Sequence, residues 1–396
     1  MSIRVTLVTT SRADYGLLYP LMMRLRSDAR FALSVVVTGA HLAEEHGLTV
    51  REVEADGMPI SHRVVLPAGD DSRGATARAI GAAVPALAAA FEESVPDLVV
   101  LLGDRFETFS AATAALVLDV PIAHIHGGEV TLGSLDDPFR HAITKMSTLH
   151  FTAAEEYRRR VVQMGAPGFA VFNTGALAVD NVVGTEFLTP EVFAGSFGVV
   201  CDETTLLLTF HPVTRLGDST AEADELLRAL DSLPRFRALF TTPNADAGGR
   251  ALLARLEAFR DAHPGRVDIV TSLGRVGYLS AAKNAAAVVG NSSSGLIEVP
   301  ALGVPSVDIG TRQAGRVRPE SVIHADPDAA SIAAAIERAT SPEHRAFART
   351  APNPYGDGHA AERMAELLAD RALVARAREA GFSDLEFEGP HDREEV

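Results

Sequence analysis

The chain has 396 residues, of which 47% are hydrophobic and 22% charged, with a formal net charge of −16 and a single cysteine, Cys201. This is the composition of a folded globular protein, and the length suggests two domains. The acidity argues against a nucleic-acid binder, which needs clustered cations facing phosphates, while one cysteine excludes an intrachain disulfide and a thiolate zinc cage and fits a reducing, cytoplasmic setting.

The opening residues, "MSIRVTLVTTSRADYG", read as a strand entering a loop, without the charged start and long apolar core of a signal peptide. Ser11, Arg12 and Asp14 lie in the strand-to-helix turn, where the planar fork of Arg12 suits an anion. "ALSVVVTG" is the next apolar strand. "ATARAIGAAVPALAAAFEESV" follows as an Ala-rich helical pattern interrupted by Pro85 and polar groups. No window of about 18 uninterrupted apolar residues occurs, so no membrane crossing is expected. "DLVVLLGD" ends in Asp104 and Arg105, with Glu107 beyond.

The strand "VPIAHIH" runs into "GGEVTLGSLDDPFRH". If the strand continues, His124 and His126 share a face, and with Glu129 nearby they offer a possible metal pair. The competing reading gathers Asp104, Glu107, Glu129, Asp136, Asp137, Arg140 and His141 at one edge. Converging carboxylates repel one another and raise some pKa values toward neutrality, as acid/base catalysis requires. Ion pairing with Arg105 and Arg140 is their alternative role.

The strands pause between about Asn181 and Thr204, where the interdomain connection is placed. "TLLLTFHP" then puts His211 at a strand end, with Pro212 blocking continuation. "VDIVTS" follows. In "AAVVGNSSSGLIEVP" a strand stops at Gly290, and Asn291, Ser292, Ser293, Ser294 and Gly295 precede or open a helix. Free N–H groups there suit a phosphate, although Ser and Asn are also favoured as plain N-caps. Glu298, one turn on, can accept from ribose hydroxyls or simply favour the helix dipole. After "VPSVDIG", Arg312, Arg316 and Arg318 surround a glycine in a loop that suits an anion. The last helical pattern, "GHAAERMAELLADRALVARAREAG", is a candidate to cross back to the first domain, and residues 381–396 form an acidic tail.

Apolar runs alternating with helices imply βαβ units and buried parallel strands. The polar clusters sit at the carboxyl ends of those strands, where open α/β sheets bind ligands. The expected architecture is α/β, with an N-terminal domain over 1–180 and a C-terminal domain over 181–380 facing a common cleft.

Seven segments in order, "TSRADYG", "GDRFE", "IAHIHGGE", "LDDPFRHAITKMSTLHF", "NTGAL", "FHPVT" and "GNSSSGLIEVPALGVPSVDIGTRQAGRVRPESVI", resemble the hydrolysing UDP-N-acetylglucosamine 2-epimerases of the NeuC type, from about residue 3 to residue 360. The resemblance implies two Rossmann-like domains in the GT-B arrangement, with nucleotide on the C-terminal side and sugar and acid/base groups on the N-terminal side. It implies no metal and no cofactor, a nucleotide-sugar substrate, and a homodimer or homotetramer. The implied reaction eliminates UDP across C1 and C2 to a 2-acetamidoglucal, then hydrates it to N-acetylmannosamine for sialic-acid-type biosynthesis.

By motif, the resemblance makes Asp104 and Asp136 acid/base groups and places His211 near the diphosphate. Arg12 and Ser292 to Ser294 fall at the phosphates and Glu298 at the ribose, with Asp14, Arg105, Glu107, Arg140, His141, Asn291, Gly295 and Arg312 as further binding residues. Many relatives carry a glutamate where this chain has His126. Either His126 takes over proton transfer, which its unperturbed pKa near 6.5 permits, or Glu129 does, and Glu129 is the preferred site member. GDP-linked or 2,4-diacetamido sugars and a non-hydrolysing epimerase are the alternatives.

Overall fold

The computed structural model describes residues 2–44, 47–67, 72–131, 135–211, 220–242 and 249–385. Pro212 and the acidic tail beyond 385 lie outside the described residues. The strands are β1 (Ile3–Thr9), β2 (Phe31–Thr38), β3 (Ile60–Val64), β4 (Leu98–Leu102), β5 (Ile122–Ile125), β6 (Leu149–Thr152) and β7 (Val171–Asn173), then β8 (Thr205–Thr209), β9 (Arg237–Thr241), β10 (Val267–Val270), β11 (Ala287–Gly290), β12 (Ser306–Ile309) and β13 (Val322–Ala325). Runs such as β4, LVVLL, are buried at every residue, because helices cover both faces of a parallel sheet and leave no polar side.

The first seven strands form one parallel sheet in the order β3-β2-β1-β4-β5-β6-β7, and the other six form a second in the order β10-β9-β8-β11-β12-β13. Both orders are doubly wound. Each sheet therefore has a switch point, between β1 and β4 in one and between β8 and β11 in the other, where successive connections leave in opposite directions and the strand ends open to a ligand.

The chain divides into two compact units, the second made of Ala176–Ala360 together with Val130 and Thr131. The stretch between Asn181 and Thr204, expected to connect domains, belongs to the second unit. Its helices Leu177–Val183 and Pro190–Phe197 are tied in by burial: Phe193 packs with Cys201, Leu207 and Leu239 in the core of that unit. The chain from Ala361 onward belongs to the N-terminal unit, where Glu366 of the helix Ala360–Ala369 pairs with Arg30 at 2.6 Å.

Five strands escape the apolar-run reading: β3, β6, β7, β9 and β13. β3 is an edge strand whose burial alternates, and β6, β7 and β13 have four residues or fewer. The helix Arg73–Ser94 runs continuously through Pro85. It is the one helix among the described residues long and apolar enough to cross a membrane. Ala83, Leu87, Ala90 and Phe91 place it in the N-terminal core with Ala111 and Ala115 of the helix Phe106–Val117, which accounts for its apolar composition.

At the second switch point β11 pairs with β8 so that Gly290 faces Thr209. A Cβ on Gly290, whose φ is +151°, would lie 2.0 Å from the Thr209 carbonyl oxygen. Only glycine allows the strands to approach this closely. Gly290→Ala is expected to lower the unfolding free energy by about 2 kcal/mol or more, as overpacking against rigid backbone does. Urea titration checks this; a change of a few tenths of a kcal/mol would contradict the close approach.

Candidate functional site

At the carboxyl end of β1, Thr9 leads into the helix Arg12–Ser27, with Ser11 as N-cap in a capping box with Asp14. The buried Asp14 carboxylate accepts from Thr10 N–H at 2.7 Å, the Thr10 hydroxyl at 2.9 Å, Ser11 N–H at 2.8 Å and the Thr9 hydroxyl at 3.0 Å. These donors fix the turn, so Asp14 shapes the loop. Arg12 is exposed and pairs with Glu52 at 3.1 Å. The buried His41 ring lies 3.0 Å from the Thr9 hydroxyl and 2.8 Å from that of Thr49; burial lowers its pKa, with the neighbouring Asp14 and Glu52 carboxylates acting against this.

On the other side of the switch point, β4 delivers Gly103, Asp104 and Arg105. Arg105 holds the buried Glu107 through two hydrogen bonds, at 3.1 and 3.2 Å. Asp104 pairs with Arg140, which is only 4% exposed and projects from the helix Asp136–Met146. Burial raises the Asp104 pKa; Arg140 opposes the shift, and Asp136 and Glu129 are close enough to add to it. Asp137 completes the cluster, 3.9 Å from Arg140 and 3.6 Å from His141. Burial lowers the His141 pKa, and Asp137 resists the change.

The two histidines of "HIHGGE" part ways. β5 ends at Ile125, and His126 adopts a left-handed φ of +67°, so strand alternation does not carry both rings to one face. His124 is fully buried. One ring nitrogen, Nε2, donates to the Gly103 carbonyl at 2.8 Å, which fixes the tautomer, and Nδ1 lies 3.1 Å from the Thr144 hydroxyl. Burial drives its pKa down to about 4. With both nitrogens engaged, His124 is a structural link and not a ligand. Among the described residues no three His, Cys, Asp or Glu side chains group as a metal site would require, and the metal-pair expectation is set aside on this geometry.

His126 instead meets Glu129, with Nδ1 2.6 Å from Oε1. Its Nε2 is buried without a hydrogen-bond partner among the described residues. The glycines between them make this turn possible: Gly128 has φ +79°, and a Cβ there would meet the Tyr157 carbonyl oxygen at 2.4 Å. The result is an imidazole–carboxylate dyad at the edge that also carries the Asp104–Arg140 pair. Such a cluster can take and return protons.

In the C-terminal unit the corresponding switch point holds His211 and Asn291. The Asn291 side chain accepts from His211 N–H and donates to the His211 carbonyl, both at 2.8 Å. The Asn291 carbonyl accepts in turn from Arg312 at 3.1 Å and Gln313 at 2.8 Å. Arg312 therefore braces the turn that aims His211. Arg318 pairs with Asp308 at 2.8 Å.

Gly295 and Glu298 sit on the helix Ser294–Ala301, just after Ser292 and Ser293. Burial raises the Glu298 pKa, with the Ser294 hydroxyl and Arg275 opposing it. Beside them Tyr278, unremarked in the sequence, is pushed up to about 12, chiefly by burial. Its hydroxyl and the Ser294 hydroxyl are buried side by side, with Thr209 and Glu298 as their polar neighbours. Thr144, Gln313 and Tyr278 are additions of the structure; Thr144 lies one helical turn after Arg140, a spacing the sequence does display.

A family model for UDP-N-acetylglucosamine 2-epimerase matches residues 23–369. A GDP/UDP-N,N'-diacetylbacillosamine 2-epimerase (hydrolysing) from Campylobacter jejuni is 35% identical over 343 residues, covering 86% of this chain and 88% of the relative. Polysialic acid biosynthesis protein P7 from Escherichia coli is 34% identical, covering 89% of this chain and 90% of its own. Among solved structures, the UDP-GlcNAc 2-epimerase from Neisseria meningitidis bound to UDP-GlcNAc superposes with a TM-score of 0.74 at 18% identity, covering 92% of this chain and 99% of that one.

The depressed His124 pKa makes stability depend on pH. The unfolded imidazole titrates near 6.5 and the folded one near 4, so the stabilisation is fully present above 6.5 and is lost as pH falls from 6.5 to 4. The loss amounts to at most about 3 kcal/mol. Urea midpoints for the parent are expected to fall more steeply between pH 7 and pH 5 than those of His124→Gln; parallel curves would contradict a neutral buried imidazole.

Proposed function

The chain belongs to the UDP-N-acetylglucosamine 2-epimerase family, and from that membership we propose that it is a hydrolysing enzyme that converts UDP-N-acetylglucosamine and water to N-acetylmannosamine and UDP. The observation that carries the chemistry is the His126–Glu129 dyad, whose Nε2 has no partner among the described residues, at the sheet edge that also holds Asp104.

The reaction breaks the C2–H bond and the C1–O bond to the diphosphate, leaving a 2-acetamidoglucal, then adds water at C1 and a proton at C2 from the opposite face. The C2 proton is poorly acidic, so a positioned base must remove it. His126 Nε2 is assigned that transfer, with Glu129 as the positioning residue that fixes the ring through Nδ1. This reverses the preference for Glu129 as the proton carrier. Asp104 and Asp136 supply the second proton transfer and activate the water. Burial raises the Asp104 pKa against the opposing pull of Arg140, a shift in the direction that a proton donor needs. His211, the Ser292–Ser294 turn and Arg12 are assigned to the departing diphosphate, and Glu298 to the ribose. A preorganised set of donors at a leaving group stabilises charge developing there.

A second substrate reading rests on the relative from Campylobacter jejuni, whose name specifies GDP- or UDP-linked N,N'-diacetylbacillosamine. That sugar shares the C1 and C2 chemistry and differs at ring positions remote from it. Parallel assays of kcat/KM on the three nucleotide sugars separate the readings. The proposal expects UDP-N-acetylglucosamine to be turned over best, with free N-acetylmannosamine and UDP as products. A preference for the diacetamido sugar would transfer the assignment to the second reading, and intact UDP-N-acetylmannosamine would remove the hydrolytic step.

The dyad has its own test. UDP release by His126→Asn is expected to fall at least about a thousandfold, and by Glu129→Gln about a hundredfold with KM little changed, as losses of a proton carrier and of its orienting partner. A dead Glu129→Gln beside an active His126→Asn would reverse the roles.

A further inference from the structure

Beside β6 in the N-terminal unit lies a cavity of about 180 Å³, lined among others by Thr144, Lys145, Ser147, Thr148, His150 and Phe382. This is room for roughly six water molecules, or one small organic or inorganic ion. None of the proton-transfer or diphosphate residues assigned above lines it.

The lining is unusual for a chain of net charge −16: among the described residues it contains no carboxylate, and Lys145 is the one ionised side chain. The Lys145 ammonium donates to the Met164 carbonyl at 3.3 Å and stands 4.6 Å from the centre of the Phe382 ring, which leaves N–H groups for a ligand. The Thr148 hydroxyl oxygen accepts from Ile122 N–H at 3.4 Å, so its proton is available. His150, 2% exposed, stands next to His124 in the sheet register. Its Nδ1 is buried without a hydrogen-bond partner among the described residues. A buried ring nitrogen of this kind calls for one.

Residues 380–383 run along one wall of the cavity. Ser383 N–H donates to the Gly165 carbonyl at 3.0 Å, and the Phe382 ring packs against Gly165. This holds Ala380, Gly381 and Phe382 along the cavity wall.

We propose that this cavity is a binding site for a small anion with two or more acceptor oxygens, a carboxylate or inorganic phosphate, held by Lys145, Thr148 and His150. Donors without a competing carboxylate are what such an ion needs, and charge-assisted hydrogen bonds are the strongest available to it. The site is separate from the proton-transfer cluster but shares Thr144 with it, because the Thr144 hydroxyl also meets His124.

The test uses the full chain. Crystals soaked in selenate should show an anomalous peak in the cavity within hydrogen-bond distance of Lys145 and His150. Calorimetric titration with inorganic phosphate and with acetate should show binding of at least one, and the tighter identifies the source. Lys145→Met and Thr148→Val should each weaken that binding about tenfold, the loss expected for one charge-assisted or hydroxyl hydrogen bond. Both residues reach the surface, so the variants should fold like the parent. Water alone in the cavity, binding at crystal concentrations only, or affinities unchanged in both variants would overturn the proposal.

Discussion

A single buried imidazole holds in place the edge of the N-terminal sheet that carries Asp104. His124 donates to the carbonyl of Gly103, the residue before Asp104, and meets the hydroxyl of Thr144. The Thr144 hydroxyl also lies 2.9 Å from the Arg140 carbonyl, its one proton shared between that oxygen and His124 Nδ1, and the Arg140 guanidinium pairs with Asp104. The ring of contacts closes on itself, so the end of β4 and the helix Asp136–Met146 cannot move independently. A buried polar network of this kind is stable only when its members are satisfied together. It holds Asp104, its pKa raised by burial, next to the turn that carries His126 and Glu129.

The two sheets solve the same topological problem with different chemistry. Both bring a strand end and a Gly-containing turn to a switch point. In the first unit the turn from β5 uses glycines to bring Glu129 back onto His126. In the second, Gly290 lets β11 lie against β8, and Asn291 then clamps both backbone groups of His211. One edge is rich in carboxylates, and the other in hydroxyls and amides. That contrast supports assigning proton transfer to the first and the diphosphate to the second.

Much of this was legible in the sequence. Long apolar runs such as β1 and β4 identify buried parallel strands, and polar residues directly after them mark the ligand edge. The short strands β6, LHFT, and β7, VFN, were not legible, because two apolar residues in each carry too little periodicity. Nor was the division of labour between His124 and His126. Alternation along a strand suggests one shared face, and nothing local announces that His126 takes a left-handed φ and leaves the strand. Tyr278 and Gln313 were missed for another reason: each lies in an unremarkable helix or loop and gains its role only from the strands folded beside it.

The proposed reaction exchanges the proton at C2 of an acetamido sugar while the bond from C1 to the nucleotide is broken. The most direct measurement is the deuterium content of the free sugar formed from UDP-N-acetylglucosamine in heavy water, read by proton NMR and mass spectrometry. Elimination and hydration should leave one deuterium at C2 of N-acetylmannosamine in nearly every molecule. Free sugar retaining protium at C2 would contradict it.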